Sequence, residues 1–209
     1  MCKIVVIILS FTMFSCAVSY KNINLAVVDY PKSDSTKRIN ILASHTQILG
    51  ESGNKRYQTK ADRNGISIVP VLIQNTSNDT IRFSKNNIDF FNNYEPVEIV
   101  CFDEYYKAIR QKTGWHMPEI IIGGGFNALL VATIVSPIFS VTPSLVGYSL
   151  ILPLGIYNII QASKSNGKMY KNLHEFDILN KPIAPGTQVY GIICLKTKDV
   201  NNLIYRIKQ

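Results

Sequence analysis

The chain has 209 residues, 46% of them apolar and 17% charged, with a formal net charge of +8. That length suits one domain of ordinary size carrying an insertion and is short for two independent cores. The basic residues are scattered in small groups, such as Lys55, Arg56, Lys60 and Arg63, rather than gathered in one block. Such a balance points to solvated faces first, to an anionic membrane surface second and to nucleic acid last.

Met1 to Cys16 has the layout of a secretory signal: Lys3, an apolar run from Ile4 to Phe14, then small residues. Residues 1–16 are read as an export signal ending in a lipoprotein-type processing site, Met13-Phe14-Ser15-Cys16, with Cys16 taking the lipid on its thiol. Ordinary signal-peptidase cleavage at Ser15-Cys16-Ala17 or Ala17-Val18-Ser19, or retention as a short anchor, are the alternatives. A diacylated cysteine attaches stably, because each buried methylene contributes about 0.8 kcal/mol. With Cys2 in the signal, Cys101 and Cys194 remain as ordinary thiols. Both sit in apolar runs and read as buried free cysteines, a disulfide being the alternative.

From Tyr20 to Arg63 the signals are mixed. Ile23 to Val28 predicts a strand, Tyr30 to Lys37 a polar linker, and Arg38 to Leu49 an apolar segment of either type. Gly65 to Asn75, GISIVPVLIQN, is a β-branched strand running into the turn signal Asn-Thr-Ser-Asn-Asp, and Thr80 to Ser84 reads as its hairpin partner. Pro70 would confine that strand to an edge or a bulge. Ile88 to Phe91 and Val97 to Phe102 continue the β pattern. Asp103 to Lys112 is then a helix with acidic residues first and basic residues last.

Ile120 to Ser163 contains no Asp, Glu, Lys, Arg or His. Pro137 and Pro143 split it into two apolar arms, Ile120 to Ser136 and Ser144 to Ser163, each near the lower limit of about 17–25 residues for a helical span. In the first arm Gly124, Ala128, Ala132 and Ser136 fall on one helical face, where two backbones can approach closely. The hairpin, taken over residues 119–164, could span a bilayer, lie in its interface or be buried against the protein. Pro153 would kink the second arm, and the amides of Asn127, Asn158 and Gln161 need partners. Lys107, Arg110 and Lys112 precede the stretch, and Lys164, Lys168 and Lys171 follow it. Lys164 to Phe176 extends the second arm into water, Asp177 to Gln188 is rich in turns, and Val189 to Lys196 and Leu203 to Lys208 are strands. Strands therefore lie on both sides of the insertion. The simplest architecture is α+β, mainly β: residues 17–209 as a single antiparallel, immunoglobulin-like β-sandwich with an inserted apolar helical hairpin.

Three segments, FTMFSC, VPVLIQNTSNDTIRF and GIYNIIQASKSNGKMYKNLHEFDILNKPIAPGTQVYGIICLK, together resemble a group of uncharacterised lipoproteins of Bacteroidota-type bacteria. The resemblance implies export and membrane attachment and carries no assigned activity. Asp34-Ser35-Thr36 and Asp79-Thr80-Ile81 are similar to the short O-glycosylation signal of such bacteria.

Motifs for chemistry are weak. Gly123, Gly125 and Ala128 superficially match a dinucleotide fingerprint, but no carboxylate occurs from Ile120 to His174 to hold a ribose, and no βαβ rhythm surrounds them. His45, His116 and His174 are isolated, without a second ligand at metal spacing, and read as exposed or capping residues. Cys101 with His116 makes a poor nucleophile and base. Glu95, Glu98, Asp103 and Glu104 read as solvent-facing, and Trp115, Tyr105 and Tyr106 as either an interfacial aromatic belt or core. The expectation is a non-enzymatic, envelope-located lipoprotein with no cofactor, metal or nucleic-acid partner, whose partners are membrane lipid and an envelope protein. The alternative is a periplasmic module binding an apolar or lipid-like ligand.

Overall fold

A computed structural model describes residues 17–35, 38–44, 46–86, 88–113 and 143–208, with 32–35 and 143–155 described at the level of backbone. The chain divides into two compact units. One comprises residues 1–19 and 111–167, the other residues 20–110 and 168–209.

The second unit is α+β with antiparallel sheets. Its largest sheet has the order β1-β2-β3-β9-β7, built from β1 (Lys32–Ser35), β2 (Ile39–Ala43), β3 (Ser67–Asn75), β7 (Ile99–Val100) and β9 (Gln188–Leu195). A three-stranded sheet orders β10 (Leu203–Ile207), β5 (Ile88–Asn92) and β6 (Glu95–Val97), and β4 (Ile81–Arg82) pairs with β8 (Pro182–Ile183). Each of these ladders is antiparallel, and Asp177 makes an isolated parallel bridge to Ile192.

Each face of the large sheet has its own core. On one side Ile41, Val69, Val71, Ile73, Ile193 and Leu195 pack with Phe83, just after β4, and with Ile88, Phe90, Ile183, Leu203 and Tyr205 from the two smaller sheets, an arrangement compatible with a β-sandwich. On the other side Ile66, Ile68, Val100, Ile192 and Cys194 meet Tyr57 and Ala61 of α2 (Lys55–Arg63), Leu49 of α1 (Ile48–Glu51), Phe102, Tyr105 and Ile109 of α3 (Phe102–Ile109), and Met169 and Leu173. Those last two belong to α4, Pro143–Phe176. Burial on both faces explains why β3 reads as an unbroken apolar run instead of an alternating one.

Several expectations are corrected. Ile23 to Val28 is not a strand: Asn24 accepts a hydrogen bond from the Ala26 N–H and caps a 3-10 turn at Leu25–Val27. The expected polar linker contains β1, an edge strand made by pairing with β2 despite its sequence. Pro70 sits in a central strand, not an edge. Its carbonyl accepts from the Ser44 N–H just beyond Ala43, the last residue of β2. The missing Pro70 N–H therefore faces Ser44 at the very end of the β2 ladder, where one backbone bond at most is forgone and no strand beyond it is disrupted. Thr80 to Ser84 does not return along β3, whose flanks are taken by β2 and β9; it supplies β4, which pairs with β8. The expected strand Val97 to Phe102 is divided. Val97 ends β6, Ile99 and Val100 join the large sheet, exposed Glu98 lies between them, and Phe102 opens α3. The helix α2 was legible only as a basic group, because Tyr57 and Ala61 are its only buried residues.

The hairpin at 119–164 falls largely outside the described residues. Its second arm lies within α4, which runs through Pro153 and on to Phe176. Among the described residues, no helix is long and apolar enough to cross a membrane.

Candidate functional site

The residues expected to carry function, Cys16, Gly124, Ala128, Ala132 and Ser136, lie outside the described residues, as do His45, Trp115 and His116. What the structure does describe is the ground on either side of them: the segment that follows Cys16 and the part of α4 that leaves the apolar stretch.

Along α4 from Ile156 the exposed residues recur at helical spacing. Ile156 is 44% exposed, Tyr157 62% and Ile160 46%, and Lys164, Lys168 and Lys171 follow them on the same exposed side. The opposite side carries the buried residues Ala162, Ser165, Asn166, Met169, Asn172 and Leu173. The outward face thus changes along the helix: it is apolar and aromatic as far as Ile160, and from Lys164 it carries three lysines together with exposed Tyr170. A helix face of a water-soluble domain ordinarily keeps its apolar stripe inward. Here large apolar side chains stand on the outward face.

Two amides of α4, Asn158 and Asn172, are committed to the segment after Cys16, and a third, Asn166, holds Gln111, which in turn holds that segment. In the first unit, Asn158 Oδ1 accepts from the Ala17 N–H at 3.3 Å. The Gln111 side chain accepts from the Val18 N–H at 3.2 Å and donates to the Val18 carbonyl at 2.6 Å. The Gln111 backbone is matched in turn by Asn166, whose Oδ1 accepts from the Gln111 N–H and whose Nδ2 donates to the Gln111 carbonyl, both at 2.8 Å. In the second unit, Asn172 Oδ1 accepts from the Tyr20 hydroxyl and from the Ile23 N–H, each at 2.9 Å. Buried Asn54 bonds both the N–H and the carbonyl of Lys21 at 2.8 Å. From Ala17 to Ile23 the chain is thus pinned repeatedly by side-chain amides. The partner that the Asn158 amide needs is Ala17, the residue bonded to Cys16.

The chain matches no family model, no curated protein and no solved structure.

Elsewhere in the second unit, α3 and the end of α4 share an aromatic cluster. Phe102 packs edge-on against Tyr105, Tyr170 and His174 at centroid distances of 5.1, 5.1 and 5.0 Å, and Tyr106 lies edge-on to Tyr170 at 5.0 Å. Tyr105 is core, whereas Tyr106 is half-buried and Tyr170 and His174 are exposed. His174 stands in the last turn of α4, the expected place for a cation at a helix C-terminus.

The thiols part company. Cys194 is buried and Cys101 is exposed, and both are free, which corrects the expectation that both are buried. Burial, and then the neighbouring Asp177 charge, pushes the Cys194 thiol well above its ordinary value, with Tyr105 acting weakly the other way. A thiol held protonated is a poor nucleophile. Burial first, then Cys194 and Asp177, likewise hold the Tyr105 hydroxyl up. Glu95, Glu98, Asp103 and Glu104 are all exposed, as expected from the sequence. Among the described residues no group of three or more His, Cys, Asp or Glu residues is placed to hold a metal. Asp79 and Thr80 of the second glycosylation-like triplet lie exposed in the loop before β4, while Thr36 of the first is outside the described residues.

Proposed function

We propose that this protein is a non-enzymatic, exported lipoprotein of the bacterial cell envelope, anchored by lipid on Cys16 and docked on the membrane through the apolar segment at 119–164. On this reading the sheet-rich unit is an immunoglobulin-like sandwich, the apolar segment is its inserted helical hairpin, and an envelope protein is the partner it meets there. Its role is presentation, with lipid and hairpin holding the folded domain at the surface.

The observation that carries the proposal is the position of Asn158. The residue bonded to Cys16 is held by Asn158, and around Asn158 on α4 stand exposed Ile156, Tyr157 and Ile160. A lipid on Cys16 would start beside a part of the described helix that presents large apolar side chains outward. The same bilayer then takes both. The lipoprotein resemblance of FTMFSC points the same way.

Membrane fractionation of a Cys16→Ala variant exported under a cleavable signal, with high-salt and carbonate washes, tests this. The expected outcome is retention in the membrane pellet through the apolar segment alone, with wild type labelled by a lipid precursor at Cys16. A variant recovered as a folded, soluble periplasmic monomer would overturn docking and favour the ligand-binding module.

A further inference from the structure

Between Ile120 and His174 the chain has no carboxylate, yet α4 carries Lys164, Lys168 and Lys171 at intervals of four and three on its exposed side. We propose that this row is a binding surface for anionic phospholipid headgroups, an inference that rests on the docking reading above and names the lipid class it prefers.

The dimensions fit. At 1.5 Å per residue, Lys164 lies about 6 Å along the helix from Ile160, and Lys171 about 10 Å beyond Lys164. The headgroup layer on one side of a bilayer is about 5–7 Å thick. With Ile156, Tyr157 and Ile160 at the hydrocarbon boundary, Lys164 falls within the headgroups. Lys168 lies about 5–7 Å beyond their outer edge and Lys171 about 10 Å beyond it, within or at a Debye length of about 8–10 Å. The lysine stems can lie along the apolar surface while the ammonium groups reach phosphate oxygens. Tyr157, exposed among the isoleucines, has the amphipathic ring that favours this depth. No acid of α4 itself stands beside the row before Glu175. A zwitterionic surface gives the row little net attraction, whereas an anionic one adds roughly fivefold in partitioning per lysine.

The test uses the full chain with Cys16→Ala, diluted from detergent into preformed vesicles of phosphatidylcholine with or without phosphatidylglycerol, and read by flotation. The expected result is binding to both, stronger on the anionic vesicles by about a hundredfold, with the difference fading at high salt. Lys164→Gln, Lys168→Gln and Lys171→Gln together should abolish the difference and leave the binding to neutral vesicles. The triple arginine replacement should keep it, which excludes a folding defect as the cause. Equal binding to both vesicles by the parent chain overturns the headgroup site while docking stands. An anionic preference that survives the triple Gln change also overturns it, placing the attraction elsewhere, for example on Lys107 and Arg110. Binding to neither vesicle overturns docking and the headgroup site together.

Discussion

Asn172 shows how much one amide can hold. Its oxygen is the shared acceptor of the Tyr20 hydroxyl and the Ile23 N–H, and it is nearly buried at 9% exposure. Removing it leaves two donors with reduced access to water, one of them on a tyrosine that is 1% exposed and packed edge-on against Tyr57. Asn172→Ala should therefore lower the unfolding free energy by about 1–3 kcal/mol in urea titrations, more than a surface substitution would. Asp177 acts in the opposite sense. Burial raises its carboxyl above the ordinary value, more than the Leu179 N–H and the nearby Lys181 and His174 lower it. A carboxylate whose folded-state value is raised costs stability above that value. The cost fades as pH falls through it and is gone below the unfolded value of about 4. Asp177→Asn should accordingly be more stable than wild type at pH 7, the two converging near pH 4 in denaturant titrations followed across pH. None of this was legible in the sequence. The asparagines looked like polar decoration on a helix, and the atoms they satisfy lie at the far end of the chain. The fate of the two cysteines turned on a single residue, because the exposed Cys101 directly follows Val100, which pairs with Cys194.

Elements with a strong local signal were readable and those defined by their neighbours were not. The strands β3, β9 and β10 were expected within a residue or two of where they lie, and the helix α3 begins within one residue of its expected start and ends three residues early, because β-branched density and charge order act locally. The edge strand β1 and the helix α2 carry little apolar signal of their own. They form because β2 offers a ladder and because the large sheet offers a face for Tyr57 and Ala61. Pro70 misled for a related reason. The rule that bars proline from central strands concerns a donor, and at Pro70 that donor faces the end of a neighbouring ladder. Gly191 marks a second such constraint. Opposite Val71 in the ladder, it passes so close to the end of α4 that a Cβ would stand 2.7 Å from the Ile178 Cβ and 3.2 Å from the Phe176 carbonyl oxygen. Neither neighbour is the far end of a flexible side chain. Gly191→Ala should cost about 1–3 kcal/mol, seen as a lowered thermal midpoint with an unchanged circular dichroism spectrum at low temperature.

At the scale of the molecule, the mixed class and the antiparallel sheets were legible from the spacing of strands around an apolar insertion, but the two-sided core was not. A single sequence states that β3 is buried without saying that helices cover one face and sheets the other. The candidate site was half legible. The lysines after the apolar stretch were visible as charges, whereas their alignment with Ile156 and Ile160 on the exposed side of α4 needed the helix to be seen. The pairing of β3 with β9 has a consequence in time. The middle of the large sheet joins a strand made early in synthesis to one that follows α4, near the end of the chain. Contacts of such long range form slowly, since the intervening loop must first be closed. Until β9 emerges, β3 has a partner on one side only, and the sheet cannot complete either core. If the chain is exported as proposed here, such a delay would favour threading through a membrane pore, since the central pairing of the sheet needs a strand from near the end of the chain.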